Sequence, residues 1–386
     1  MVSEAAEARA ALRQPASYLP ELESLRGWAI LLVVGFHYFG ILALAERPNN
    51  PLWVTLLGGG NTGVTLFFVL SGFLLSRPFL QGLRDGQQVS IQRFYTARFF
   101  RIVPLYYAAV LLAWGMTQKA AALKALLFIP IGFQAFPFSV PWWSLCTEIQ
   151  FYLLLPWAMW LLRYRVGRWL VAGALLAWAV AHVYLFHSPG WLSPSNFWEN
   201  SLFGRAGAFL VGAACAGISL GRGYDWLRER ALVCAVLLAG CLLGLGRLWL
   251  WFSLSGERNA LQALPMYHNI ESALWGGAML ALLALSWRIK ALLANPLLDH
   301  FGRISYSLYL IHVPVQFYCL YPLKAAGMTL DAHSDAYLLR IGVSLALSWA
   351  LAWVSYRLVE MPFLRLKSRL ATYSGRAPWA RRAADA

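Results

Sequence analysis

Charge is what this chain has least of. Only 13% of its 386 residues are Asp, Glu, Lys or Arg, about half of what a soluble domain of this length carries. Meanwhile 60% are hydrophobic, and apolar runs of roughly 20 residues, each long enough to span a bilayer, recur from end to end. A soluble globular domain is therefore excluded. Carboxylates are scarcer than cations, 17 Asp and Glu against 32 Lys and Arg, for a net charge of +15. In a soluble protein that excess would suggest nucleic acid. Here the cations cluster between apolar spans without a basic helix or recognition motif, so loops facing anionic lipid account for them and no nucleic-acid partner is expected. The five cysteines (Cys146, Cys215, Cys234, Cys241 and Cys319) all fall in apolar stretches and form no CxxC pair. Neither a disulfide framework nor a metal site is expected, and the thiols read as small buried hydrophobes. The GxSxG elbow of serine hydrolases is missing. No internal repeat is visible, which weakens a transporter reading because many transporters are built from repeats.

What is present is an all-α pattern of about ten transmembrane helices, near 26–45, 63–80, 102–117, 144–162, 169–186, 200–218, 231–252, 269–287, 303–323 and 336–358. One set of connections is basic: Arg77 to Arg101, Arg163 to Arg168, Arg222 to Arg230, Arg288 with Lys290, and the tail from Arg365 to Arg382. The other set is poorer in cations. The positive-inside rule puts the basic set and both termini in the cytoplasm, and an even number of spans agrees. The organisation expected is a polar segment over 1–17, a membrane domain over 18–366 and a basic cytoplasmic tail over 367–386. The first apolar segment lacks a small-residue cleavage site, which argues against a removed signal peptide.

Ionisable groups inside a bilayer are expensive and point to function. Arg26 and His37 share the first span, and everything from Gly27 to Phe36 between them is apolar or Gly. Eleven residues separate them, close to three helical turns, so both side chains lie on one face roughly 16 Å apart along the axis. A neutral imidazole can take a proton from an attacking hydroxyl near neutral pH. It can equally bond a neighbouring helix. Ser71-Gly72 in the second span allows close approach of a helix or a ligand. Arg98 and Arg101 lie three apart, on one helical face. They suit phosphate or plain anchoring at the membrane surface. Trp142 and Trp143 open the fourth span as an interfacial belt or as a platform for a sugar ring. Glu148 follows within the span and needs a partner, with His37, Arg205 and Arg247 as candidates. In the ninth span Ser305, Leu308, Tyr309 and His312 recur at helical spacing. His312 precedes Pro314, which would kink the helix. Glu360, before Pro362, reads as a helix end held at the interface.

Taken in order, these motifs resemble the membrane-bound acyltransferase family 3. The resemblance is carried by Arg26 through His37, Phe67-Phe68-Val69-Leu70-Ser71-Gly72-Phe73, Arg98 with Arg101 and Pro104, Trp142 with Ser144, Glu148, Phe151 and Tyr152, Ser305 through Pro314, and Glu360 with Pro362. It covers roughly residues 18–366. Arg205, Phe209 and Gly212 also fit a family pattern, but Ala208 stands where a glutamate is frequent, so no chemical role is expected there. The resemblance implies about ten spans in the bacterial inner membrane and an acyl-CoA donor, acetyl-CoA above all, entering from the cytoplasm. It implies transfer to a hydroxyl of a carbohydrate acceptor, a surface or lipid-linked glycan, or alternatively of a macrolide or other secondary metabolite. Some members carry a further C-terminal esterase-like domain. The chain ends too early for one, so transfer is expected within the membrane domain.

The expected scheme has Arg26, Arg98 and Arg101 neutralising the coenzyme A phosphates. The pantetheine arm would run along the first helix, and His37 would deprotonate the acceptor hydroxyl as it attacks the thioester. Glu148 or His312 would orient the imidazole or the acceptor, and Ser71, Trp142, Trp143 and Tyr309 are candidate substrate contacts. An acyl-His intermediate is the competing route. The rival from another class is a transporter or flippase using His37, Glu148 and His312 as a proton relay. It consumes no thioester.

Overall fold

The computed structural model describes residues 19–42, 44, 51–187, 200–256, 260–261, 263–264 and 266–366. The expected N-terminal segment over 1–17 and tail over 367–386 lie outside the described residues. Among the described residues there is no strand, and ten helices have 18 residues or more. They are α1 (Pro20–Ile41), α2 (Thr62–Asp85), α3 (Ile91–Thr117), α4 (Trp142–Leu161), α5 (Arg165–His187), α6 (Leu202–Ser219), α7 (Ala231–Ser255), α8 (Tyr267–Ala284), α9 (Pro296–Ala325) and α10 (Ser334–Ser355). The all-α expectation holds. Seven of the ten are long and apolar enough to cross a membrane by length and composition. The other three, α4, α8 and α9, carry Glu148, Glu271 and His312. Large apolar side chains line the outer surface, among them Trp157 on α4, Trp169 and Leu176 on α5, and Leu243 on α7. Apolar surface on that scale suits lipid, not water.

Local chemistry sets several boundaries that hydropathy placed too far inward. Asn295 caps α9, its side chain accepting from Leu297 N and Leu298 N at 3.1 and 3.0 Å, and Pro296 takes the first helical position, where its missing N–H costs nothing. The helix thus starts seven residues before the expected 303. It also runs on through Pro314 and Pro322 to Ala325, so Pro314 does not end it. Ser90 caps α3, which begins well before 102 and brings Arg98 and Arg101 inside one 27-residue helix. After Ser355 the chain of α10 passes into a π-helical turn, Tyr356–Glu360, a feature common at functional sites because it re-aims side chains.

Two parallel helix pairs form the centre, and neither joins sequence neighbours. α1 lies beside α9: Ser24 bonds Asp299 near their starts, and the Gln316 amide donates to the Val34 carbonyl at 3.1 Å further along. α2 lies beside α6: Phe68 stacks on Phe209 and Arg84 donates to the Leu220 carbonyl. Both contacts are made by backbone. A Cβ on Gly27 would overlap the Leu298 carbonyl, one on Gly302 the Glu23 carbonyl, one on Gly72 the Phe209 carbonyl and one on Gly212 the Val69 carbonyl. Small residues permit such approach in membranes, where van der Waals packing replaces the hydrophobic drive between helices. Gly27→Ala therefore forces the α1 and α9 backbones apart, and overpacking of this kind costs about 1–3 kcal/mol. The check is the unfolding midpoint in mixed micelles, which falls for Gly27→Ala and is unmoved by Gly115→Ala, whose Cβ would meet nothing within 4 Å.

Candidate active site

The α1–α9 approach brings His37 and His312 together. The two rings meet edge to face with centroids 4.8 Å apart, and His312 Nε2 lies 3.1 Å from His37 Nδ1. Each Nδ1 also faces a main-chain carbonyl one turn back, Val33 for His37 at 2.8 Å and Leu308 for His312 at 3.0 Å. A carbonyl can only accept, so in the neutral pair both Nδ1 atoms carry protons. His312 Nε2 is then a lone pair taking a share of the His37 Nδ1 proton. His37 Nε2 is left as a lone pair free to accept. That is the tautomer a general base needs, fixed by the group behind it in the manner of a catalytic triad. Sequence reasoning divided His312 between structure and catalysis, and the geometry places it directly behind His37.

Glu148 is elsewhere. Its Oε1 accepts from Ser71 Oγ and from Tyr152 OH, both at 2.6 Å. None of the expected partners, His37, Arg205 or Arg247, meets it. Arg205 is buried with its guanidinium 5.3 Å from the Trp143 ring centre. Gly72 allows the close approach of a helix, α6, whereas Ser71 holds Glu148, a role the sequence did not suggest.

Glu148, Ser71, Tyr152, Ser144 and Tyr309 line one cavity of about 140 Å³ together with Arg26, Arg98 and Arg101. The three arginines thus line one cavity, but two of them are engaged. Arg26 pairs with Glu23 at 3.1 Å. Arg101 pairs with Glu360 at 2.5 Å. Glu360 is buried, not held at an interface, because the π-turn carries it inward, where Ser307 Oγ also donates to it at 3.1 Å. Arg98 has no carboxylate partner among the described residues. Its guanidinium lies 5.9 Å from the Tyr152 ring centre and its buried Nε is unmatched.

His37 does not line this cavity. It opens on a second one, of about 760 Å³, walled by Phe36, Phe133, Phe136, Phe317 and Tyr321 among others. The straight path from Arg26 to His37 along one helical face is not a continuous channel. Trp142 is buried edge-on against Tyr106, centroids 5.6 Å apart, so it is neither a belt residue nor a sugar platform. Trp143 meets Phe68 edge-on and carries Arg205. Of the candidate substrate contacts, Ser71 and Tyr309 line a cavity and the two tryptophans do not.

A further buried group escaped the sequence reasoning. Glu271 accepts from Thr65 Oγ1 at 2.6 Å and lies 3.3 Å from His268 Nδ1, tying α8 to α2. The rule that singled out Glu148, a carboxylate within an apolar span, applies equally to Glu271.

The sequence profile described as an acyltransferase domain matches residues 19–357, nearly all of the bundle. The chain therefore belongs to the acyltransferase family 3 of membrane proteins. It is 24% identical over 369 residues to the O-acetyltransferase OatA of Staphylococcus aureus strain NCTC 8325, covering 89% of this chain and 57% of that protein. It is 28% identical over 166 residues to the peptidoglycan O-acetyltransferase OatA of Listeria monocytogenes, covering 37% of this chain and 24% of that protein. The chain thus spans little more than half the length of the Staphylococcus relative. No solved structure matches it.

The geometry separates the arginines by role. Arg101→Ala strands the buried Glu360 carboxylate and destabilises the protein by about 3 kcal/mol, the scale for breaking a buried pair. Arg98→Ala strands none and gives up only its contact with the Tyr152 ring, so in detergent it costs at most about 1 kcal/mol. Equal losses in the two variants would contradict this division.

Proposed function

We propose that this protein is a membrane O-acyltransferase. In this reading it moves an acyl group, an acetyl group in the first instance, from acyl-CoA to a hydroxyl of a carbohydrate acceptor, with His37 as general base. The observation that carries the reading is the His37–His312 pair, whose hydrogen bonds leave His37 Nε2 as the free lone pair beside a large cavity. Membership of the acyltransferase family supports the reaction class, and the names of the two relatives support acetyl transfer to a glycan.

Donor and acceptor approach from opposite ends of the bundle. The arginine cavity lies at the end where α1, α3 and α9 begin and α10 finishes. The basic connections gather there too, and the positive-inside rule assigns that end to the cytoplasm of a bacterial inner membrane. Arg98, with Arg26 and Arg101 beside it, receives the coenzyme A phosphates. The acceptor enters the cavity on the other side. Its hydroxyl gives its proton to His37 Nε2 while its oxygen bonds to the thioester carbonyl carbon. The tetrahedral adduct then collapses with cleavage of the carbon–sulfur bond. The leaving thiolate takes the proton from His37 Nε2, which returns the imidazole to its starting state. His312 acts as a positioning residue: its Nε2 accepts from His37 Nδ1–H and favours the positive charge that His37 gains during transfer.

Release of free coenzyme A from acetyl-CoA by the purified protein, with an acceptor glycan supplied, tests the reading. His37→Ala abolishes release while acetyl-CoA still binds, and His312→Ala lowers kcat by about 10²-fold, the lower end of general-base contributions, with little change in KM for the donor. Wild-type turnover in His37→Ala would dismiss the base. Proton-coupled uptake without thioester consumption would dismiss the enzyme in favour of a transporter.

A further inference from the structure

The reaction proposed above needs the thioester and the acceptor hydroxyl in one place, yet the cavity of the arginines and the cavity of His37 share no lining residue. Tyr309 stands at the boundary. It lines the arginine cavity, and one turn further along α9 comes His312, the ring centroids 6.0 Å apart. Its ring meets Phe67, another lining residue, edge-on at 6.1 Å. Its hydroxyl is 2.5 Å from Ser144 Oγ. Ser144 in turn donates to the Pro141 carbonyl at 3.1 Å. That carbonyl can only accept, so the Ser144 proton is committed there and the Tyr309 hydroxyl is the donor to Ser144 Oγ. One hydrogen bond between α9 and α4 thus holds an aromatic ring across the inner end of the donor cavity.

We propose that Tyr309, latched by Ser144, is the gate between donor and acceptor cavities, and that it sets the preference for an acceptor hydroxyl over water. The inference rests on the acyltransferase reading. A histidine with a free lone pair, beside a cavity of about 760 Å³, will deprotonate water as readily as an alcohol. Water attacking the thioester carbon would break the carbon–sulfur bond and release acetate and coenzyme A. The gate prevents this by keeping the thioester from His37 until the ring moves aside. Tyr309 is accordingly a positioning residue. The latch is cheap to open, because a hydrogen bond between two neutral hydroxyls contributes little net stability.

The experiment uses the full chain in lipid nanodiscs with acetyl-CoA and no acceptor, measuring acetyl-CoA binding and the rate of acetate and coenzyme A release. Tyr309→Ala removes the ring and raises acceptor-free hydrolysis at least tenfold over the parent. Ser144→Ala, a small change that spares the packing, removes the latch and raises it several-fold, as does Tyr309→Phe. The Ser144→Ala/Tyr309→Phe double variant hydrolyses no faster than either single one, because both remove the same bond. Adding His37→Ala to Tyr309→Ala returns hydrolysis to the parent level. Parent-level hydrolysis in both Tyr309→Ala and Ser144→Ala, with acetyl-CoA still bound, overturns the gate and leaves the acyltransferase reading standing. Failure of the parent protein itself to bind acetyl-CoA overturns that reading and the gate with it.

Discussion

The site depends on the backbone contact between α1 and α9. Gly27 lies against the Leu298 carbonyl and Gly302 against the Glu23 carbonyl, so the two helices are as close as main chains allow. That closeness fixes their relative rotation and register together. Ser24 then reaches Asp299, Gln316 reaches the Val34 carbonyl, and His37 meets His312. A side chain at either glycine would separate the helices, and an imidazole pair at 3.1 Å has no slack to follow. Packing that looks purely structural therefore sets the tautomer of His37.

The cost of burying charge explains the rest of the polar interior. Each carboxylate carried into the bundle is met from another helix: the half-buried Glu148 on α4 by Ser71 of α2, the buried Glu271 on α8 by Thr65 of α2, and the buried Glu360 by Arg101 of α3 and Ser307 of α9. A lone carboxylate in hydrocarbon would be far too costly. The bonds of Glu148 to Ser71, Glu271 to Thr65 and Glu360 to Arg101 join helices that the chain does not connect directly, so they specify the bundle as well as satisfying the groups. Glu360 and Glu23 also engage Arg101 and Arg26, whereas Arg98, which lines the same cavity, has no carboxylate partner among the described residues.

Much of this was legible in the residues. Helix existence followed from runs of apolar residues, and the groups worth attention followed from the cost of burying them. Arg26, His37, Glu148, Tyr309 and His312 all stand at one of the two cavities or directly beside it. What the residues misdirected is also instructive. Trp142 looked like an interfacial ring because it opens a helix, but the loop before it folds over the bundle and buries it against Tyr106. Glu360 looked like a helix end because Pro362 follows, but the helix continues through a π-turn. Glu148 was offered to His37 because both are costly. Its partners proved to be Ser71 and Tyr152, hydroxyls that nothing along the chain links to a carboxylate on α4.

The sequence by itself determined that this is an all-helical membrane protein of the acyltransferase family, and which polar groups must matter, because hydropathy and burial cost are properties of residues along one chain. Tertiary structure alone decided who partners whom. The decisive pairs, α1 with α9 and α2 with α6, are parallel and distant in sequence. Their register comes from glycine contacts and hydroxyl bonds that carry no periodicity. For the same reason the single helical face joining Arg26 to His37 suggested one channel, and only the packing of α4 and α9 across it, at Ser144 and Tyr309, divided that space in two.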